Sequence, residues 1–380
     1  MHVALNGWFW DHPLTGSGQY LRNLVKALVR LNAPLQLTLV VPRPILNLAE
    51  LPNAVEVVTA AAPLGSKLGK VWFEQRSYPA AVKKVGADIA HIPYWGPPLS
   101  SPARLVASVL DVIPLLFAEY RGGFFNQLYT SLVAAGAKGV GHIITLSEAS
   151  KKDIIKHLQI PAEKITPTYL AVDEKFTPVK SEYDEEVRQK YGLPDEFALY
   201  MGSYDVRKNV NTLLLAWTYA GPSLGEIVPL VLAGKQPPHW GTPLFPDLKA
   251  YAQELNVDKY LVWIGEVAEE DKPSLYRLAK VMIFPSLYEG FGLPPLEAMA
   301  CGTPVVAANA SSIPEVVGDA AYLVEPKNAR AMGGAILAAL IQDDLNRHLS
   351  NAGRGRATHF SWRKTAQETF AVYEQVMARK

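Results

Sequence analysis

Short apolar runs alternate with helix-patterned segments along the whole chain, and this alternation constrains the fold more than any other feature of the sequence. Continuous apolar runs of this length are typical of strands buried on both faces. A helical segment between two runs, such as Tyr20–Leu31, returns the chain so that both strands point the same way. The candidate strands are Val3–Gly7, Leu37–Val41, Val55–Val58, Asp88–Ile92, Leu105–Val112, His142–Leu146, Ala198–Gly202, Val228–Ala233, Leu261–Ile264, Met282–Phe284, Val305–Ala307 and Ala321–Val324. The sequence therefore predicts an α/β fold with parallel sheets covered by helices on both faces.

The chain is long enough for two such sheets. Its 380 residues exceed the size at which a single hydrophobic core keeps growing, and 49% of them are hydrophobic. The boundary is expected near Asp173–Val179, where Pro178 follows the last N-terminal strand. We predict two doubly wound domains, residues 1–175 and residues 176–361.

Charge and cysteine content exclude several classes of protein. A formal net charge of +1 gives no reason to expect a nucleic-acid partner, and the single Cys301 rules out an intramolecular disulfide framework. No apolar stretch approaches the roughly 20 residues that span a bilayer, and the N-terminus lacks a signal-peptide pattern. No histidine pair or Asp-x-Asp motif has metal-ligand spacing, so no metal is expected. We expect a cytoplasmic protein.

The segment Ser286–Glu297 predicts a binding site at the start of a helix. It follows an apolar strand, contains Gly290 and Gly292 in a turn, and then places two prolines where the first helical turn needs no N–H partner. The N-terminus of such a helix binds anions. Glu289 falls in the loop and Glu297 inside the helix, so each carboxylate can bind a different hydroxyl group of one extended ligand. The segment therefore suits a ligand that carries both phosphates and hydroxyls, such as a nucleotide sugar.

A second strand end carries two adjacent cations. Gly202 and Ser203 close the apolar run, and Arg207 and Lys208 precede a helix-patterned segment. Arg supplies bidentate hydrogen bonds and Lys a compact charge, which together suit a diphosphate leaving group. An isolated Arg-Lys pair is usually solvated surface. Its occurrence together with the Glu289 segment favours a diphosphate site.

These motifs resemble the retaining glycosyltransferases with the two-domain GT-B fold, the family 4 type within the glycosyl transferases of group 1, which includes many mannosyl-, glucosyl- and rhamnosyltransferases. The resemblance covers nearly the whole chain. Its further motifs are Thr15–Tyr20, Trp72–Gln75, Ala87–Tyr94, Thr145–Ser150 and Cys301–Val305. It implies two Rossmann-like domains facing each other across a deep cleft, an acceptor-binding one (1–175) and a donor-binding one (176–361). A C-terminal helix, 362–380, is expected to pack back on the first domain.

The same resemblance implies roles for individual residues. Glu289 would contact hydroxyls of the donor sugar, Glu297 the ribose, and Arg207 and Lys208 the diphosphate. The remaining donor-site predictions are Gly16, Gly18, Gly202, Ser203, Gly234, Lys235, Val267, Gly290, Phe291, Gly292 and Leu293. For Gly16 and Gly18 a plain tight turn is an equally good interpretation.

Two departures from the family pattern affect the acceptor half. Many relatives have a His-Asp pair where this chain has Leu110-Asp111, so only Asp111 is predicted to be catalytic, beside Arg207, Lys208 and Glu289. Many also have an Asn-Gly-Val-Asp turn where this chain reads Leu170-Ala-Val-Asp173. Ala tolerates a positive φ poorly, so the local backbone is expected to differ there.

The predicted function is retaining transfer of a hexose from a nucleoside-diphosphate sugar to a hydroxyl of a glycan or a polyprenyl-lipid-linked acceptor, without a cofactor. Two alternatives remain open from the residues. One is a non-catalytic protein that binds a nucleotide sugar or glycan, and the other is a GT-B-fold sugar-nucleotide epimerase.

Two smaller features have two interpretations each. Basic and aromatic residues between Lys67 and Lys84, among them Lys70, Phe73 and Tyr78, form either a peripheral contact with the inner face of the cell membrane or an ordinary amphipathic helix. His91, at the end of an apolar strand, either binds the acceptor or is a buried, hydrogen-bonded core residue.

Overall fold

A computed structural model describes residues 1–62, 66–224 and 226–379, with the side chains at 66 and 67 left outside the description. The strands in these ranges are β1 (His2–Asn6), β2 (Gln36–Val41), β3 (Val55–Thr59), β4 (Ile89–Ile92), β5 (Arg104–Ser108), β6 (His142–Thr145), β7 (Ile165–Pro167), β8 (Ala198–Met201), β9 (Leu230–Ala233), β10 (Leu261–Gly265), β11 (Val281–Phe284), β12 (Val305–Ala308) and β13 (Tyr322–Val324).

The helices in the N-terminal part of the chain are α1 (Gly16–Arg30), α2 (Ser66–Trp72), α3 (Tyr78–Val85), α4 (Ile113–Leu116), α5 (Phe124–Lys138) and α6 (Glu148–Leu158). Those that follow are α7 (Tyr183–Tyr191), α8 (Val210–Leu224), α9 (Leu248–Glu254), α10 (Lys272–Leu278), α11 (Leu293–Ala300), α12 (Ile313–Val317), α13 (Ala329–Ile341), α14 (Asp343–Ala357) and α15 (Trp362–Ala378). One π-helical turn, Phe73–Ser77, joins α2 to α3.

The strands form two parallel sheets, and the predicted fold class is confirmed. The first sheet has the order β3-β2-β1-β4-β5-β6-β7 and the second the order β10-β9-β8-β11-β12-β13. Each predicted strand has a counterpart, but Leu105–Val112 was too long, since β5 ends at Ser108. The sequence analysis missed β7, because a three-residue strand with one large apolar residue gives too weak a pattern.

The chain divides into two compact units, Met1–Leu170 with Ser361–Lys380, and Ala171–Phe360. Helix α15 belongs to the first unit, where the Tyr373 hydroxyl lies 2.6 Å from Nδ1 of the buried His91. In the second unit, α8 and α13 cover the sheet through a core that includes Trp217 and Ile336. Each unit therefore has its own hydrophobic core.

Strand order determines which loops meet in the second unit. Strands β8 and β11 are hydrogen-bonded neighbours, with β9 on the other side of β8 and β12 on the other side of β11. Because all these strands are parallel, the loops that follow them lie along one edge of the sheet. Most of the predicted donor residues from 202 to 297 lie in these loops or in the helices after them, and Val267 follows β10, the neighbour of β9.

Candidate active site

Arg207 and Lys208 both bind Glu289. Arg207 Nη1 lies 2.8 Å from Glu289 Oε2, and Lys208 Nζ lies 2.6 Å from Oε1. The cations follow β8 in a short 3-10 turn and the carboxylate follows β11, so the pairing of these two strands brings them together. All three residues are largely withdrawn from solvent, with side-chain exposures of 11% to 13%. The sequence predicted these residues for one site, but not that they pair with one another.

The charges of this triad are fixed by mutual attraction. Burial alone would raise the pKa of Glu289, but the nearby charges of Lys208 and Arg207, together with the Lys208 hydrogen bond, hold it below its ordinary value. The carboxylate is therefore ionised at neutral pH and compensates part of the positive charge. A charge-assisted pair of this kind is strong only when its geometry is held by further contacts.

The surrounding backbone supplies those contacts. Arg207 Nη1 donates to the Tyr288 carbonyl at 2.7 Å, and the Leu287 N–H donates to the Arg207 carbonyl at 2.8 Å. Asn209 has a left-handed φ of 56°, and its Nδ2 donates to the Pro285 carbonyl at 3.0 Å. The loops after β8 and β11 are therefore joined directly, which fixes the cations relative to Glu289.

Three side chains that position the site, those of Asp205, Ser311 and Ser312, were not predicted from the sequence, whereas Ser203 was. Ser203 Oγ donates to Asp205, whose Oδ1 lies 3.7 Å from Arg207 Nε. The Glu289 N–H donates to Ser311 Oγ at 2.8 Å, and Ser312 Oγ donates to the Glu289 carbonyl at 2.9 Å. Ser311 and Ser312 follow β12, the neighbour of β11, so their location at a strand end was the available signal.

The loop that carries Glu289 leads into α11. Gly292 has φ 115°, a conformation that an L-residue rarely adopts, and α11 begins at Leu293 with prolines in its first turn, as the sequence predicted. Phe291 is buried, and its ring packs edge-to-face on Phe360 at 5.8 Å between centroids. Since Leu293 is only four residues after Glu289, the start of α11 follows the ion triad closely along the chain.

Glu297 has different partners from Glu289. It is buried, and its Oε2 accepts a hydrogen bond from the Tyr276 hydroxyl at 2.9 Å. Burial raises its pKa, although the positive charge of Lys272 and the Tyr276 hydrogen bond oppose that change. The two carboxylates thus have different environments, one held ionised and the other biased toward its neutral form.

Further predicted donor residues line the same edge. The Gly202 N–H donates to the Ala233 carbonyl at 3.0 Å, and the Gly234 N–H to the Gly265 carbonyl at 2.7 Å. A Cβ at Gly234 would lie 1.9 Å from the Gly202 carbonyl oxygen, so these loops approach too closely for any other residue. Lys235 follows as an exposed side chain, and Val267 is buried just beyond β10.

In the first unit, Gly16 and Gly18 open α1. Thr15 caps the helix by accepting from the Gly18 N–H at 3.1 Å, and a Cβ at Gly18 would meet the His12 carbonyl oxygen at 2.0 Å. Close packing therefore explains why position 18 is a glycine, whereas a Cβ added at Gly16 would point into open space. Asp111 follows β5 and accepts from the Ile113 N–H at 3.0 Å, ahead of α4.

The structure decides between the interpretations left open for two other features. His91 is fully buried, and its Nε2 lies 2.9 Å from Ser108 Oγ, so it is a hydrogen-bonded core residue. Burial lowers its pKa to about 3, which keeps it neutral. Phe73 and Tyr78 are also fully buried, so these two residues belong to the core and not to a membrane-contacting surface, as the interpretation of an ordinary amphipathic helix allows. The side chain of Lys67 lies outside the described residues.

Family models match both halves of the chain. Residues 14–176 match Glycosyltransferase Family 4, and residues 184–356 match Glycosyl transferases group 1. O-antigen chain mannosyltransferase B of Escherichia coli is 34% identical over 286 residues, which cover 74% of this chain and 74% of that protein. The chain belongs to the family 4, group 1 glycosyltransferases.

Solved structures give the fold of this glycosyltransferase. Sucrose-phosphate synthase from Thermosynechococcus elongatus matches with a TM-score of 0.75 and 22% identity, covering 100% of this chain and 99% of its own. HepE of Anabaena, solved with UDP-glucose, matches with a TM-score of 0.72 and 18% identity over 100% of both chains. The predicted family, GT-B fold and glycosyltransferase activity are confirmed. Among the residues that the structure describes, no helix is both long and apolar enough to cross a bilayer.

Proposed function

We propose that this glycosyltransferase moves a hexose of the mannose type from a nucleoside-diphosphate sugar to a hydroxyl of a glycan or lipid-linked acceptor, with retention of configuration. The observation that carries the proposal is the triad of Arg207, Lys208 and Glu289 beside the N-terminus of α11. The mannosyltransferase among the relatives favours mannose. The HepE complex makes UDP-glucose the second donor to test.

The triad suits a diphosphate because its cations are pre-positioned. Backbone contacts already hold Arg207 and Lys208 in place, so little reorganisation is needed when charge develops on the leaving group. An entering diphosphate competes with Glu289 for both cations. Glu289 is then available to accept hydrogen bonds from sugar hydroxyls, which is the role assigned to it.

In the proposed step, the bond from the sugar C1 to the phosphate oxygen breaks. The acceptor oxygen forms its bond to C1 on the same face, and the acceptor proton passes to an oxygen of the departing diphosphate. Arg207, Lys208 and the backbone N–H groups of the glycine-rich loop that leads into α11 stabilise the negative charge that appears there. Protein catalysis then consists mainly of orientation and charge stabilisation.

The other assignments follow from the same proposal. Glu297 holds the ribose, and the loops at Gly202, Gly234, Lys235 and Val267 contact the phosphates and the base. The first unit binds the acceptor, with Asp111 and the start of α1 at its carboxyl edge.

Release of nucleoside diphosphate from GDP-mannose and UDP-glucose by the purified protein tests the proposal, with melting temperatures measured against GDP, UDP, ADP and dTDP to name the base. We expect one diphosphate to raise the melting temperature and its hexosyl form to be cleaved slowly without acceptor. If no nucleotide stabilises the protein and neither donor is cleaved, the proposal is refuted.

A further inference from the structure

An apolar groove of about 510 Å³ lies between α2 and α5 in the first unit. Its walls include Leu68, Val71, Phe125, Leu128 and Leu132. Several of these side chains are well exposed, among them Phe125 at 73%, Leu68 at 63% and Leu128 at 56%. Apolar side chains concentrated around one concavity of this size are typical of a ligand site rather than of ordinary surface.

The polar side chains of the groove include Lys70, whose ammonium is held by aromatic rings. Its Nζ lies 5.1 Å from the ring centroids of Phe9 and Tyr94 and 5.0 Å from that of Tyr129. Lys70 lines the groove, and 24% of its side chain is exposed to solvent. The rings position the cation without neutralising it.

The acidic partner of Lys70 is Glu74, which lies 3.6 Å away and is fully buried. Both of its oxygens accept from the Tyr129 hydroxyl, at 2.9 and 3.0 Å. Burial raises the pKa of Glu74 to about 7, so this carboxyl is only partly ionised at neutral pH; burial also lowers the pKa of Lys70. An anion that enters the groove supplies counter-charge for Lys70 that Glu74 provides only in part.

The cage around Lys70 reaches the carboxyl edge of the first sheet. Phe9 follows β1 and Tyr94 follows β4, and the Tyr94 hydroxyl donates to Asn6 Oδ1, at the end of β1, at 3.1 Å. Parallel sheets bind ligands at this edge. Lys70 therefore links the groove that it lines to residues at this edge, where an acceptor hydroxyl is expected.

We propose that this groove is the acceptor's lipid subsite: an apolar chain lies between α2 and α5, and the phosphate at the head of that chain binds Lys70. The inference rests on the proposed function, because it assigns an amphiphilic phosphate as the substrate class of the acceptor half. A neutral oligosaccharide would leave the apolar walls uncovered. An inorganic anion has no apolar part that could contact these walls.

Calorimetric titration with decyl phosphate below its critical micelle concentration tests the subsite. We expect saturable binding of one molecule per chain, at least about tenfold weaker binding of uncharged decyl glucoside, and no detectable binding of inorganic phosphate. Leu128→Gln and Lys70→Gln are each expected to weaken decyl phosphate binding about tenfold, from lost apolar contact and a lost charge-assisted bond. Leu46→Gln is the matched control, since Leu46 is 78% exposed in the same unit and lies outside the groove.

Several results would overturn the inference. Equal affinity for decyl phosphate and decyl glucoside would show that Lys70 does not bind the phosphate. Unchanged binding of decyl phosphate by Leu128→Gln would show that the apolar chain does not lie in the groove. Binding to phosphatidylglycerol vesicles without binding to monomeric decyl phosphate would make the surface a membrane contact instead. Donor cleavage separates the two proposals: a protein that cleaves donor but does not bind decyl phosphate contradicts only the subsite. A protein that cleaves neither donor and is stabilised by no nucleotide contradicts the proposed function.

Discussion

Replacing Glu289 by Gln tests the electrostatics of the candidate site most directly. The change keeps the shape of the side chain but removes the negative charge that two buried cations share. Breaking a buried ion pair by removing one partner costs about 3–5 kcal/mol, because the remaining charge is left desolvated. Asp205, 3.7 Å from Arg207, offsets part of that loss, so we expect about 3 kcal/mol. In a unit of this size the melting temperature should fall by roughly 10 °C.

Nucleotide should restore much of that stability. A diphosphate supplies negative charge to the same cations without having to displace a carboxylate, so it should raise the melting temperature of Glu289→Gln more than that of the wild type. Turnover should nevertheless fall, since the sugar hydroxyls lose a charged acceptor and meet a neutral amide instead. Differential scanning fluorimetry with and without GDP and UDP, followed by donor-cleavage kinetics, measures both effects.

The stabilising effect of Glu289 should decrease as the pH falls. The folded pKa of Glu289 is held below its ordinary value of 4.5, so its stabilising effect is complete above that pH and is lost as the pH falls through the folded pKa. The difference in melting temperature between wild type and Glu289→Gln should therefore be constant from pH 6 to 8 and shrink below about 4.5.

The matched control is Glu196→Gln, which removes the exposed Glu196–Lys280 pair at 2.9 Å. An exposed ion pair contributes about 0–1 kcal/mol, so this variant should melt close to the wild type. If Glu289→Gln melts no lower than Glu196→Gln, or if nucleotide stabilises it less than the wild type, the ionic account of the site is refuted.

Three further predictions follow from named contacts. Arg207→Ala and Lys208→Ala should each raise the barrier to donor cleavage by about 3 kcal/mol, roughly a hundredfold in rate, measured with saturating donor. Gly234→Ala should destabilise the protein by about 1–3 kcal/mol and weaken nucleotide binding, because its Cβ would lie 1.9 Å from the Gly202 carbonyl oxygen. His91 should make stability fall below pH 6.5 by up to about 1.4 kcal/mol per pH unit, because the unfolded chain takes up the proton first and the folded pKa is about 3. Thermal melts from pH 7 to 5 should show a shallower slope for His91→Gln.

Each of these three predictions has its own control or contradicting result. Gly355→Ala places a Cβ in open space within α14 and should be neutral or stabilising, so a comparable loss in both glycine variants would contradict the close approach at Gly234. Wild-type rates in either cation variant would end the assigned leaving-group role. Identical pH slopes for wild type and His91→Gln would show that His91 does not remain neutral in the fold.

The local sequence pattern was sufficient to predict most of the strands and the start of α11. Buried parallel strands need apolar side chains on both faces, and a glycine followed by prolines leaves few alternatives to a helix start. The same reasoning failed for β7, which is too short to show a period, and for Phe73 and Tyr78, which carry no sign of the neighbour that buries them.

Sequence patterns predicted two parallel α/β sheets with cations and carboxylates at strand ends, and the resemblance of the motifs to a known family implied a glycosyltransferase. The pairing of Arg207 and Lys208 with Glu289, and the place of Lys70 among aromatic rings at an apolar groove, became visible only in the folded structure. Such pairings depend on which strands and helices become neighbours. Which elements become neighbours depends on packing between segments that are far apart in the chain, and the local spacing of apolar residues carries no information about such packing.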